Sequence, residues 1–171
     1  MMRAVSYQPS AIGHRPSAVG PRRLVGLACL VMLSSGCVGR SAQRVRTNDI
    51  TGAGELVRQN IAAIHRRDVE AYLAQYLDSP EFVVAGADSL RRGYALFAEA
   101  RRASQEWPDT LIAREPTLVW VAPGVVWASF EYAAVIGTDT ARGLSQRVLV
   151  KTVEGWKIAV TGLAERCLVG N

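Results

Sequence analysis

The chain has 171 residues, 49% of them apolar, and a formal charge of +5. Four arginines (Arg3, Arg15, Arg22 and Arg23) precede Leu24, so the rest of the chain carries only about +1. That balance excludes the clustered basic face that nucleic acid requires, and no basic run suits an anionic lipid surface.

The chain begins with a Pro-, Ser- and Gly-containing stretch and then Arg22-Arg23. An apolar run follows from Leu24 and ends in Ser34-Ser35-Gly36-Cys37. Positive charge, roughly ten apolar residues and then small residues is the layout of a secretory signal. The run is shorter than the about 20 residues that span a bilayer as a helix. The reading is therefore a signal peptide over residues 1–36, either extended at its front or begun from a later start codon. Ser34-Ser35-Gly36-Cys37 resembles a bacterial lipobox, which implies that Cys37 becomes the first residue of the exported protein and that its thiol takes lipid. Acyl chains there add about 0.8 kcal/mol of membrane affinity per buried methylene. Ordinary cleavage nearby would instead release a soluble exported protein, and an uncleaved leader would act as the anchor.

With Cys29 removed and Cys37 lipidated, Cys167 is left as a lone thiol, so an apolar core has to carry the stability. About 135 residues remain, the size of one domain, enough to bury about two-thirds of the unfolded surface. Residues 37–51 are polar and basic and read as a flexible tether, 52–166 as the domain and 167–171 as a tail.

Val57, Asn60, Ile61 and Ile64 recur at helical spacing, which predicts a first helix from Ala53 to Arg66. Asp68 is placed to cap a second helix burying Val69, Tyr72, Leu73 and Tyr76, which ends at Asp78-Ser79-Pro80. Glu81 to Ala85 reads as a short strand, and Leu90 to Ser104 as a third helix with Tyr94 and Phe97 on its apolar side. From Thr110 the pattern becomes β, with strands predicted over 110–121, 125–136, 144–153 and 156–164. For the last hairpin a three-residue Val153-Glu154-Gly155 loop is expected. It would unite Val148, Val150, Trp156, Ile158 and Val160 on one apolar face and put Arg147, Lys151 and Lys157 on the other. Helices first and antiparallel strands afterwards make an α+β order.

Several segments in this order resemble the nuclear transport factor 2-like superfamily, in particular its SnoaL-like branch. They are Ala62-Ala63-Ile64, Arg66-Arg67-Asp68-Val69, Tyr72-Leu73, Tyr76-Leu77-Asp78, Phe82, Arg92-Gly93-Tyr94-Ala95-Leu96-Phe97 and the closing Glu154-Gly155-Trp156-Lys157-Ile158. The resemblance covers residues 52–165 and implies a cone-shaped, cystatin-like fold: three N-terminal helices on a curved antiparallel sheet. It includes steroid isomerases, cyclases, dehydratases and non-catalytic binding or dimerisation domains. Position by position, the isomerase oxyanion tyrosine is matched here by Asn60 and the catalytic aspartate by Val84. The second acid falls at Gln146 or Arg147, and a histidine frequent in relatives falls at Gly162. An apolar pocket with a protonated acid makes that chemistry work, and these positions lack the acid.

After the leader, His65 is the one histidine, at the exposed end of the first helix; the plainer reading is a surface residue. Glu131, inside the apolar strand Trp127-Ala128-Ser129-Phe130-Glu131-Tyr132, is the sharpest acidic candidate. It is either a cavity carboxylate held by Arg147 or half of a cross-strand ion pair on the outer face. Asn60, Tyr72, Tyr76, Tyr94, Phe130 and Tyr132 are candidates for lining a cavity. Trp120 and Trp127, across the Ala122-Pro123-Gly124 turn, are candidates for an exposed aromatic dimer face or for the edge of the core. No metal-ligand spacing and no phosphate loop occurs, so no metal or cofactor is expected.

The expectation is an exported, lipid-anchored domain that binds a small apolar ligand or a protein partner, without catalysis, as a homodimer. It would sit in a bacterial cell envelope, at the outer membrane or the periplasmic face, since Val38 is not the Asp used for inner-membrane retention. The alternatives are a cyclase, dehydratase or isomerase acting in the cavity, a structural dimerisation module of an envelope complex, or a soluble periplasmic or secreted protein.

Overall fold

Helix α1 (Ser35–Arg66) opens the computed structural model, which describes residues 35–86, 88–104 and 106–165, with side chains from 40 to 164. The signal-peptide reading and the 167–171 tail fall essentially outside those residues, and so does the Cys37 side chain. From Cys37 onward the chain forms one unit. The segment expected to be a tether is helical and continuous with the predicted first helix. The stripe that holds it begins earlier than the sequence suggested: Asp49, Ala53, Leu56, Val57, Asn60 and Ala63 are all buried, at the three- and four-residue steps of one helix face. The helix ends where Arg67 turns left-handed (φ 54°). Arg67 N donates to Ile64 O and Asp68 N to Ala63 O, each at 3.0 Å. This is a Schellman closure with arginine where glycine is usual.

Helix α2 (Val69–Leu73) is shorter than expected. The Asp68 carboxylate caps it, accepting from Ala71 N at 3.0 Å. Tyr76 lies beyond it, in a short extended stretch that bonds to Ile158 through Leu77 N and Gln75 O. Strand β1 (Val83–Ala85) pairs antiparallel with β2 (Leu90–Arg92), a strand the sequence reading assigned to the third helix. Gly93, at φ 95°, breaks the chain between β2 and α3 (Tyr94–Ala103).

The predicted strand 110–121 is two strands, β3 (Thr110–Ala113) and β4 (Thr117–Ala122). Pro116 between them cannot donate to a ladder. They pair with successive halves of the long β5 (Val125–Ile136). Strands β6 (Asp139–Thr152) and β7 (Gly155–Glu165) complete a curved, unclosed sheet in the order β2-β1-β7-β6-β5-β3, with β4 also on β5. The α+β class stands, with one refinement: β1 runs parallel to β7, so the sheet is mixed rather than wholly antiparallel.

The last hairpin differs from expectation in register. Thr152 faces Gly155 and Lys151 faces Trp156, and an extra residue, Ala159, bulges from β7 before Val148 meets Val160. The bulge switches which alternate residues of β7 face the core. The inner face of β6 is therefore Ser145, Arg147 and Leu149, all buried, opposite Leu163, Thr161 and Ile158. Val148 and Val150 lie on the outer face, the reverse of the expected assignment.

The helices cover the inner face. Ala53, Leu56 and Val57 of α1 pack with Val126, Ala128, Phe130, Leu149 and Ile158 of the sheet. Tyr76, Phe82 and Phe97 close one side, with Tyr76 and Phe82 rings edge-on at 5.4 Å and Phe82 and Phe97 at 4.9 Å.

Candidate functional site

Strands β5, β6 and β7 curve beneath the end of α1, and a cavity of about 350 Å³ opens between them. Phe130, Tyr132, Ser145, Arg147 and Thr161 come from the sheet; Ile61 and Ile64 from α1; Tyr72 and Phe97 from α2 and α3. Trp107, Leu111 and Arg101 also line it. Most of the wall is aliphatic or aromatic. Its charged residues are three arginines, Arg91, Arg101 and Arg147; among the described residues no Asp, Glu or His belongs to it.

Arg147 is 5% exposed. Its Nη1 donates to Asn60 Oδ1 at 2.7 Å, a bond from the sheet to the buried stripe of α1. Its Cζ lies 5.0 Å from the Phe130 ring centroid, where the ring face attracts a cation. Arg147 Nε, Asn60 Nδ2 and Ser145 Oγ have no hydrogen-bond partner. No carboxylate of the described residues pairs with this guanidinium.

The neighbouring Tyr76 hydroxyl stays neutral. Tyr76 donates to Tyr72 at 2.6 Å. Burial pushes the Tyr76 hydroxyl well above its usual range, and the adjacent Tyr72 adds to this against the opposing pull of Arg147. Elsewhere on the wall, the Arg101 guanidinium stacks on the Trp107 ring at 3.8 Å and donates to Glu106 O at 2.7 Å.

The expected cavity residues divide. Tyr72, Tyr76, Phe130 and Tyr132 line the wall; Asn60 stands behind it, holding Arg147. Tyr94 is elsewhere, donating to Leu73 O at 3.2 Å. Both weak catalytic candidates are displaced from the cavity. Glu131 points to the outer face, 3.3 Å from Arg114 Nε, and His65 is exposed at the end of α1. The tryptophans separate: Trp120 pairs with Val126 and Val119 with Trp127. Trp120 therefore turns inward, where its Nε1 donates to the Asp49 carboxylate at 3.2 Å, and only Trp127 remains for an outer face. Val84 and Gly162, which match the isomerase base and the relatives' histidine, do line the cavity.

The sequence reading missed Ser145, Thr161, Arg101 and Trp107, and brought Arg147 to the cavity only as the holder of Glu131. The alternation Ser145-Arg147-Leu149 was visible, but the assumed hairpin register sent it outward. Among the described residues no group of three metal-ligating side chains comes together, and no helix is long and apolar enough to cross a membrane.

No protein-family model matches the sequence, and no curated protein matches it. Solved structures do. A cystatin-like fold protein from Burkholderia xenovorans LB400 superposes with a TM-score of 0.62 at 15% identity, over 71% of this chain and 94% of that one. A nuclear transport factor 2-like protein of unknown function from Shewanella oneidensis MR-1 gives 0.59 at 18% identity, over 68% and 97%. A ketosteroid isomerase-like protein from Erwinia carotovora atroseptica gives 0.59 at 16%, over 70% and 97%. At these identities the likeness is one of fold.

Proposed function

Starting from its nuclear transport factor 2-like fold, we propose that the chain is an exported, lipid-anchored domain that holds a small apolar ligand in its cavity without transforming it. The observation that carries the reading is the make-up of the wall, with ample aromatic and aliphatic surface and no carboxylate or imidazole among its described residues. Acid–base catalysis needs a group that exchanges a proton near the working pH. Arginine stays protonated, and burial holds the Tyr76 hydroxyl in its neutral form. A cavity of this size lies at the lower end of small-molecule sites, which run from about 300 to 1,000 Å³.

In this reading Cys37 carries the lipid and the domain works at a membrane surface of a bacterial envelope. A second copy covers the outer face of the sheet around Trp127. The test is native mass spectrometry of the full chain extracted from membranes in a mild detergent. A small molecule retained at near one-to-one ratio is expected, lost when the protein is unfolded. A protein that is repeatedly empty, and that takes up no apolar probe, overturns the reading. Labelled palmitate should enter the wild-type chain and fail to enter Cys37→Ser; label kept by the variant removes the anchor.

A further inference from the structure

We propose that the ligand of this cavity is an apolar carboxylic acid, and that Arg147 receives its carboxylate with Ser145 and Thr161 beside it. The inference rests on the binding role proposed above and names the chemistry of the bound molecule.

A guanidinium taken out of water is costly unless it is paired. Arg147 is 5% exposed, and its structural partners are the Asn60 amide oxygen and the Phe130 ring face, both neutral. Such groups soften the cost without supplying a counter-charge. Two candidates for one are excluded. Glu131 lies on the opposite face of the sheet with Arg114, and the Tyr76 hydroxyl is pushed upward by burial and cannot serve as an anion.

Among the described residues, three buried polar atoms without a partner belong to residues of the wall, Arg101 Nε, Ser145 Oγ and Arg147 Nε, and the last two are neighbours on one strand. Ser145 and Arg147 are two apart on the inner face of β6, and Thr161 stands directly opposite Arg147 on β7. All three line the cavity. Arg147 Nε and Ser145 Oγ are both buried and without a partner. With Nη1 committed to Asn60, the guanidinium keeps the Nε edge, a fork that matches the two oxygens of a carboxylate. The rest of the wall (Ile61, Phe97, Trp107 and Leu111 among it) suits a hydrocarbon or aromatic body. Arg91 and Arg101 add positive charge at the wall, and among the described residues no Asp or Glu belongs to it, so an anion is drawn in rather than repelled.

The test uses the full chain in detergent and two acids, 1-naphthoate and decanoate, each against its neutral primary amide, by isothermal titration. A charged hydrogen bond in place of a neutral one should favour each acid over its amide by about 10-fold or more. Arg147→Met should bring acid and amide together, while Arg101→Met should keep most of the preference. Acid and amide binding equally well overturns the carboxylate inference and leaves the apolar-ligand role standing. If none of the four binds, the role itself falls. A preference that survives Arg147→Met and disappears in Arg101→Met moves the anchor to Arg101 and overturns the assignment. Should Arg147→Met not fold, a crystal of the unaltered protein with 1-naphthoate decides: a carboxylate on Arg147 supports the proposal, and one held by Arg91 or Arg101 refutes it.

Discussion

Arg147 and Asn60 meet at 2.7 Å across the interface between sheet and first helix, and each is buried. Removing one partner has a different cost from removing the other. Asn60→Ala leaves a buried cation without its main hydrogen bond, at about 1–3 kcal/mol. Arg147→Met removes the charge and its desolvation penalty, leaving only a neutral amide short of a partner. Thermal melts should therefore rank Arg147→Met above Asn60→Ala, with the Met variant close to wild type. The reverse order would mean that Arg147 is chiefly a structural strut and would weaken its assignment to a ligand.

Asp49 provides the pH-dependent counterpart. It is 2% exposed and accepts from Gly124 N at 2.8 Å and Trp120 Nε1 at 3.2 Å, with Lys151 Nζ at 3.7 Å. Burial alone would raise its pKa, but the Gly124 N–H, the Trp120 N–H and the Lys151 ammonium together outweigh it and hold the carboxyl below its ordinary value. A carboxyl depressed in the folded state stabilises above its unfolded pKa, and the contribution is lost as pH falls through the folded one. Urea denaturation from neutral pH downward should thus show a loss beginning below about pH 4, and Asp49→Asn should flatten that limb. Asp49→Ala, which strands both donors, should cost about 1–3 kcal/mol at neutral pH. An Asn variant with an unchanged acid limb would remove Asp49 from the account.

These two residues also explain what the sequence could and could not reveal. The helices, the long strand β5 and the adjacency of the last two strands were legible, because apolar periodicity and Pro/Gly punctuation are local signals. The face of β6 was not. Arg147 and Lys151 were sent outward on the rule that charge avoids the core. Both instead turn to the helix side, toward Asn60 and Asp49, partners 87 residues away for Arg147 and on a segment read as tether. The valines between them face outward, so both sides of β6 are partly apolar and hydropathy cannot choose. A one-residue bulge at Ala159 then shifts the register in mid-strand, leaving no mark in composition. The register expected from the sequence carries the cavity's arginine to the outer face, while Phe130 and Tyr132, on the simpler strand β5, line the wall.

Gly52 tests how closely the first helix approaches the last hairpin. A Cβ there would fall 2.5 Å from Trp156 Nε1 and 2.8 Å from its Cδ1. Alanine gains about 1 kcal/mol over glycine in a helix, but overpacking of a rigid ring costs about 1–3 kcal/mol. Gly52→Ala should be net destabilising and should shift tryptophan emission. Gly54→Ala, whose Cβ would meet the tips of two flexible side chains, Leu118 at 3.0 Å and Arg58 at 3.6 Å, should be neutral or stabilising. If both variants raise the melting temperature alike, the indole does not seal this contact.

The outer face of the sheet bears on assembly. Val119, Trp127, Val148 and Val160 stand in one row across β4, β5, β6 and β7, with Ile112 61% exposed on the neighbouring β3. A row of this kind crossing four strands is an apolar patch on the side opposite the helices, and such patches mark contact surfaces. The outer-face tryptophan is central to it, so a self-complementary contact would place Trp127 near a two-fold axis. The Cys37→Ser protein should sediment as a dimer, and adding Trp127→Lys should convert it to monomer with little change in the melting temperature of the folded unit. Glu131→Gln, at the same face but paired to Arg114, should leave the dimer intact. A parent that sediments as a monomer at micromolar concentration would end the dimer proposal and leave the row of valines to another partner, with the cavity and its arginine unaffected.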